Sequence, residues 1–255
     1  MGLIVGIIAG VLCCVLYIRM CRRDVPVPMG KKAAIPVALG CIAPILSTVM
    51  FIGIGFVLLT ISGDSSQSLK DLVPTYTLKS LVAAFLTASF PEELVKFLFL
   101  LLSAKLVKPK SVYEWGLLGA GVGVGFTFLE EMLYGGGNVA VALFRMPFFA
   151  MHMVFDLIMG LFLGLAAFDR KDGREGALRH TVIALVVPLL WHVTFDAATA
   201  FNTALTVGID TGNDFLMYVG ATVAVVVIVA SVVLQFWELV QFKRKSGELC
   251  AMRLS

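Results

Sequence analysis

Apolar runs of roughly 20 residues, interrupted by short clusters of charge, repeat along the chain at about 3–18, 33–62, 79–104, 116–135, 138–168, 181–207 and 215–241. A helix rises about 1.5 Å per residue, so runs of this length suit a hydrocarbon layer of about 30 Å. The pattern predicts an all-α, polytopic membrane helix bundle with about seven transmembrane helices. No long polar stretch, low-complexity tract or internal repeat divides it. Residues 1–255 therefore read as a single transmembrane domain, with its polar core between 79 and 207. The second run, about 30 residues long, leaves room for tilt or for a break at Pro44.

Composition points to the same class. Hydrophobic residues make up 59% of the chain and charged residues 15%, a balance that excludes an ordinary soluble domain and leaves no basic surface built for nucleic acid. The net charge of +3 matters less than where the basic residues fall. Alternate loops hold Arg19, Arg22, Arg23, Lys31 and Lys32, then Lys105, Lys108 and Lys110, then Arg170, Lys171, Arg174 and Arg179, then Lys243, Arg244, Lys245 and Arg253. The opposite loops hold Lys70 and Lys79, and Lys96 and Arg145 lie inside runs. By the positive-inside rule the N-terminus is outside and the C-terminus cytoplasmic, with 63–78 and 208–214 outside and 105–115, 169–180 and 243–255 inside. The first run has its positive charge after it and no small-residue cleavage site, so it reads as a retained anchor helix. Cys13, Cys14, Cys21, Cys41 and Cys250 show no metal-type spacing and receive no role.

Several ionisable residues interrupt the apolar runs. The stretch "FPEELVKF" places Glu92, Glu93 and Lys96 in the third run; the fourth carries Glu130 and Glu131, the fifth Arg145, His152 and Asp156, and the sixth His192 and Asp196. A charge at the bilayer centre costs about 2.5–3.5 kcal/mol on insertion scales, so such residues normally face protein and carry a function. Counted from the cytoplasmic ends at about 1.5 Å per residue, Glu92, Glu130, His152 and His192 lie roughly 17–24 Å deep. Four helices thus deliver carboxylates and imidazoles to one slab near the midplane. Glu92 and Lys96 share a helix face, whereas Glu93 turns about 100° away, so only one of the two acids can pair directly with the lysine. His152 with Asp156 and His192 with Asp196 are spaced i,i+4, so each Asp is a candidate to orient its imidazole. Pro91 and Pro188 each remove a helical hydrogen bond near the site, which a membrane tolerates where water or another group satisfies the freed carbonyl. Glu130 is expected to point inward, Glu131 to reach toward headgroups or loop atoms, and Arg145 to snorkel or pair with a carboxylate. Gly119, Gly121, Gly123 and Gly125 read as packing faces.

"EELVK", "GFTFLEEMLYG", "HMVFD" and "HVTFD", in this order on four runs, resemble the motifs of the PrsW family of intramembrane proteases, relatives of the CAAX-processing proteases. The resemblance covers about residues 90–196 and implies functional roles for Glu92, Glu93, Glu130, His152 and His192. Glu131 departs from it, since the family usually has Asn there. It further implies an enzyme of the bacterial plasma membrane that cuts membrane-anchored proteins such as anti-sigma factors, on or near the extracytoplasmic side.

The residues themselves fit peptide hydrolysis, which needs an activated water, stabilisation of the oxyanion and a proton for the leaving amine. His152, His192 and Glu130 make a His₂Glu set, a shell typical of catalytic zinc with one open position. Asp156, Asp196 and Lys96 support it, and Glu92 or Glu93 serves as general base. In a metal-free alternative, one Glu deprotonates water directly and the imidazoles stabilise the oxyanion. Two further alternatives are a proton- or cation-coupled transporter, since midplane Glu, His and Lys also make relays, and a catalytically silent scaffold, as in one γ-secretase subunit of the wider superfamily. The lack of a transporter-type repeat weighs against the first, and retention of both Glu92 and Glu93 against the second.

Overall fold

In the computed structural model, which describes residues 1–23, 30–62 and 76–254, the long apolar runs are helical. In chain order the α-helices are α1 (Gly2–Arg23), α2 (Ala34–Ser62), α3 (Tyr76–Ala84), α4 (Phe90–Val107), α5 (Val112–Gly137), α6 (Val139–Arg145), α7 (Met151–Lys171), α8 (Ala177–Ala198), α9 (Thr203–Thr211), α10 (Asp214–Arg244) and α11 (Ser246–Ala251). Six helical stretches among the described residues are long and apolar enough to cross a membrane: Gly2–Arg22, Gly30–Phe56, Val112–Gly137, Val139–Lys171, Ala177–Thr211 and Asp214–Arg244. The predicted run 79–104 is not among them. It is built from α3, a π-helical turn over Phe85–Ser89, and α4, which carries Glu92, Glu93, Lys96 and Lys105. The predicted outside loop falls, up to residue 75, outside the described residues, as does Lys70.

Local sequence explains the breaks. Ser111 caps α5 by accepting the Glu114 N–H at 3.2 Å, and Asn138 ends α5 and caps α6 by accepting the Ala140 N–H at 2.8 Å, as short polar side chains do at helix starts. The π turn ends two residues before Pro91, and its last bond runs from Phe90 N–H to Phe85 O. A proline clashes with the carbonyl four residues back and lacks an N–H of its own. Widening the preceding turn relieves both problems.

The chain packs as two compact units. One comprises Met1–Pro44, Leu94–Pro188 and Val232–Ser255, the other Ile45–Glu93 and Leu189–Ser231. Two of the boundaries fall at Pro44 and Pro188, prolines inside α2 and α8, where the helix lacks a hydrogen bond.

The first unit is built around α5, with α1 and α7 against it. Gly119 and Gly123 allow the α5–α7 contact: a Cβ at Gly119 would collide with the Asp156 carbonyl oxygen, and one at Gly123 with that of His152. On another face of α5, Gly125 meets the Val37 carbonyl oxygen and Gly121 the Tyr17 hydroxyl and Pro36. These are packing contacts, as the sequence leads one to expect. Around them, Tyr113, Leu117, Met153 and Leu157 form a buried cluster, closed by the Tyr113 and Phe242 rings stacked 4.5 Å apart. The chain end is tied to the start of α5 by a bridge between Ser111 and Arg253.

The second unit joins α3 to α9. Ser80 Oγ accepts the Thr203 N–H at 3.0 Å and donates to the Tyr76 carbonyl at 2.9 Å. Asn202 caps α9 through Leu205 N–H at 3.0 Å and donates to the carbonyls of Ala198 and Gly220, each at 2.9 Å. Ala84, Val193 and Ala197 pack together beside the π turn.

Candidate active site

In the second unit the polar residues gather around His192. Its Nδ1 lies 2.8 Å from Glu93 Oε1, and both side chains are buried. An ionised carboxylate only accepts, so Nδ1 carries the proton and Nε2 keeps a lone pair in the neutral imidazole. Asp196 Oδ2 stands 3.3 Å and Glu92 Oε2 3.8 Å from that Nε2. Asp196 is itself held by Ser89, whose hydroxyl donates to Oδ2 at 3.1 Å. The helices explain the arrangement. Asp196 is one turn beyond His192 on α8, and Pro91 begins the first turn of α4, from which Glu92 and Glu93 project about 100° apart.

A carboxylate facing an imidazole lone pair is repelled unless a cation lies between them. At His192 Nε2 that cation is either a proton or a metal ion, and nitrogen and carboxylate oxygen are the donors that zinc takes. Glu92 and His192 offer ligand atoms close enough to share one ion. The residues present therefore fit a metal.

In the first unit a second imidazole is held from both sides. Lys96 Nζ lies 3.2 Å from His152 Nδ1, and Glu130 Oε2 lies 2.8 Å from His152 Nε2. An ammonium can only donate, so Nδ1 accepts and the Nε2 proton goes to Glu130. Lys96 is fully buried, 3.8 Å from Asp156 Oδ1 and 4.6 Å from the centre of the Phe126 ring. The Phe126 ring packs 4.7 Å from the imidazole. The contacts Gly119 and Gly123 make with the backbone of Asp156 and His152 set how closely α7 can approach α5.

The structure thus places Glu92, Glu93, His192 and Asp196 together in one unit and Lys96, Glu130, His152 and Asp156 together in the other. The i,i+4 spacing makes Asp156 a candidate partner of His152; its Oδ1 lies 3.8 Å from Lys96 Nζ. Glu131, expected to reach outward, is buried, and Arg145 holds it and Glu130 at 2.8 Å each. Ser89 was not singled out in the sequence. Its only signal is a polar residue two positions before Pro91 in an apolar run.

A sequence profile described as PrsW family intramembrane metalloprotease matches residues 38–245. That match takes in α4, α5, α7 and α8, the helices that carry the residues above. No curated protein and no solved structure matches the chain.

Proposed function

Since the chain belongs to the PrsW family of intramembrane metalloproteases, we propose that it hydrolyses peptide bonds of membrane-anchored proteins, anti-sigma factors among them, in a bacterial plasma membrane, with the N-terminus outside and the C-terminus in the cytoplasm. The observation that carries this reading is the buried His192–Glu93 pair, which directs Nε2 toward Glu92 and Asp196. Zinc is the metal we assign, with His152, His192 and Glu130 to hold it. When bound, it lowers the pKa of a water and polarises the scissile carbonyl.

The chain's own residues divide the remaining work. Glu93 fixes the tautomer of His192, the role of a carboxylate behind a ligating histidine. Without metal, Glu130 accepts the Nε2–H of His152; both groups can hold zinc only once that proton has left to solvent. Glu92 is the base: its side chain is 18% exposed, against 0% for Glu93, so it is the more accessible of the two acids. It removes a proton from the attacking water and returns it to the leaving amine. Ser89 holds Asp196 at the same face of the imidazole.

The test uses the full-length protein with zinc in vesicles, mixed with tagged single-span membrane proteins, and reads newly formed N-termini. Wild type should create them and Glu92→Gln should not. Ion flux without any cleavage would replace this reading with the transporter.

A further inference from the structure

Arg145 ends α6, outside every motif that marks the site, yet it touches three residues of α5, among them Glu130 beside His152. Its Nη2 lies 2.8 Å from Glu130 Oε2 and 2.8 Å from Glu131 Oε1, its Nε lies 2.8 Å from the same Glu131 oxygen, and Cζ sits 4.2 Å over the Tyr134 ring. Glu130 Oε2, the oxygen that Arg145 binds, is also the one 2.8 Å from His152 Nε2. One oxygen therefore joins the guanidinium to the imidazole. The surroundings are poor in water: the two carboxylate side chains are 12% and 4% exposed and that of Arg145 21%.

Neighbouring residues on a helix point about 100° apart, so Glu130 and Glu131 do not converge of their own accord. A planar guanidinium presents donors in a fixed fork and can bind both acids at once. Glu131 takes Nε and one Nη2 contact, which sets the plane; Nη2 then faces Glu130. The segment behind Arg145 is also fixed, because the fully buried Gln235 donates to the Pro147 carbonyl at 2.5 Å. Without the guanidinium, two adjacent carboxylates would repel each other in a low-dielectric setting, and Glu130 would turn away from His152.

We propose that Arg145 is a positioning residue for peptide hydrolysis, anchored by Glu131 and acting through Glu130 to hold His152 in its working orientation. The activity part of this inference rests on the protease reading above; the placement of His152 does not.

The chain has three histidines, so the full-length protein labelled with nitrogen-15 histidine gives few imidazole signals, and His152→Asn identifies that of His152. Arg145→Ala should shift the His152 Nε2 resonance. It should also lower kcat toward a cleaved single-span reporter about 10- to 100-fold, as loss of a supporting contact does, with KM little changed. Adding Glu131→Gln removes the repulsion and should return both the resonance and most of kcat. If Arg145→Ala fails to fold, Arg145→Gln serves in its place. An unmoved His152 resonance in the folded variant, or no recovery on adding Glu131→Gln, would overturn the inference. If the resonances behave as expected and wild type cuts nothing, the protease reading fails and the placement of His152 stands.

Discussion

His192 and Glu93 form a buried hydrogen bond of 2.8 Å between α8 and the first turn of α4, and its polarity divides the histidine's two nitrogens between them: Nδ1 to hold, Nε2 to act. Glutamine at 93 can still accept from Nδ1, whereas alanine cannot. Glu93→Ala should lower cleavage at least 10- to 100-fold and weaken zinc binding by a similar factor, while Glu93→Gln keeps more of both. Metal titration of the two variants beside wild type measures this. Equal loss of activity with unchanged zinc affinity in both would make Glu93 the base.

Removing a base and removing a ligand have different effects on bound metal. Glu92→Gln should abolish cleavage and retain about one zinc per chain, and Glu130→Gln should lose both. Metal analysis of the purified variants separates the two roles. A Glu92→Gln protein devoid of zinc would place Glu92 among the ligands.

Groups that act as a unit fail together. His152→Ala, His192→Ala and their double variant should lose activity by similarly large factors rather than additively, with all three proteins still accumulating in the membrane. Near wild-type cleavage by the double variant would remove the site as described.

Chelation should silence the wild-type enzyme, and zinc should restore it. Activity that persists after verified removal of all metal would leave the metal-free glutamate mechanism.

The topology predicts that cysteine introduced at position 210, in an otherwise Cys-free chain, reacts with an impermeant reagent in intact cells, and that cysteine at 175 reacts only after permeabilisation. The reverse pattern would invert the orientation.

α1, α2, α5 and α10 were legible in the sequence because each is a continuous apolar run; α5 and α10 begin and end within a few residues of their predicted bounds. The runs at 79–104, 138–168 and 181–207 were not legible as separate pieces. The π turn is a local response to Pro91, and hydropathy is blind to it. The His192–Asp196 contact follows from i,i+4 spacing alone. Asp156 also meets the buried ammonium of Lys96, a contact that no intrahelical spacing rule predicts because Lys96 lies on another helix. Glu131 is buried for a related reason: its partner Arg145 lies beyond the break that Asn138 makes between α5 and α6.

In the middle of α5 every second position, from Gly119 to Gly125, leaves no room for a side chain. With Gly119 and Gly123 against the backbone of α7, and Gly121 and Gly125 against the segment that precedes Pro44, successive turns of the helix are committed in two directions at once. A protein usually adjusts a site over evolutionary time by trading larger and smaller residues behind it. Here every exchange at these four positions adds bulk where a neighbouring segment already lies. Adjustment within this stretch is left to Ala120, Val122 and Val124, the positions between the glycines.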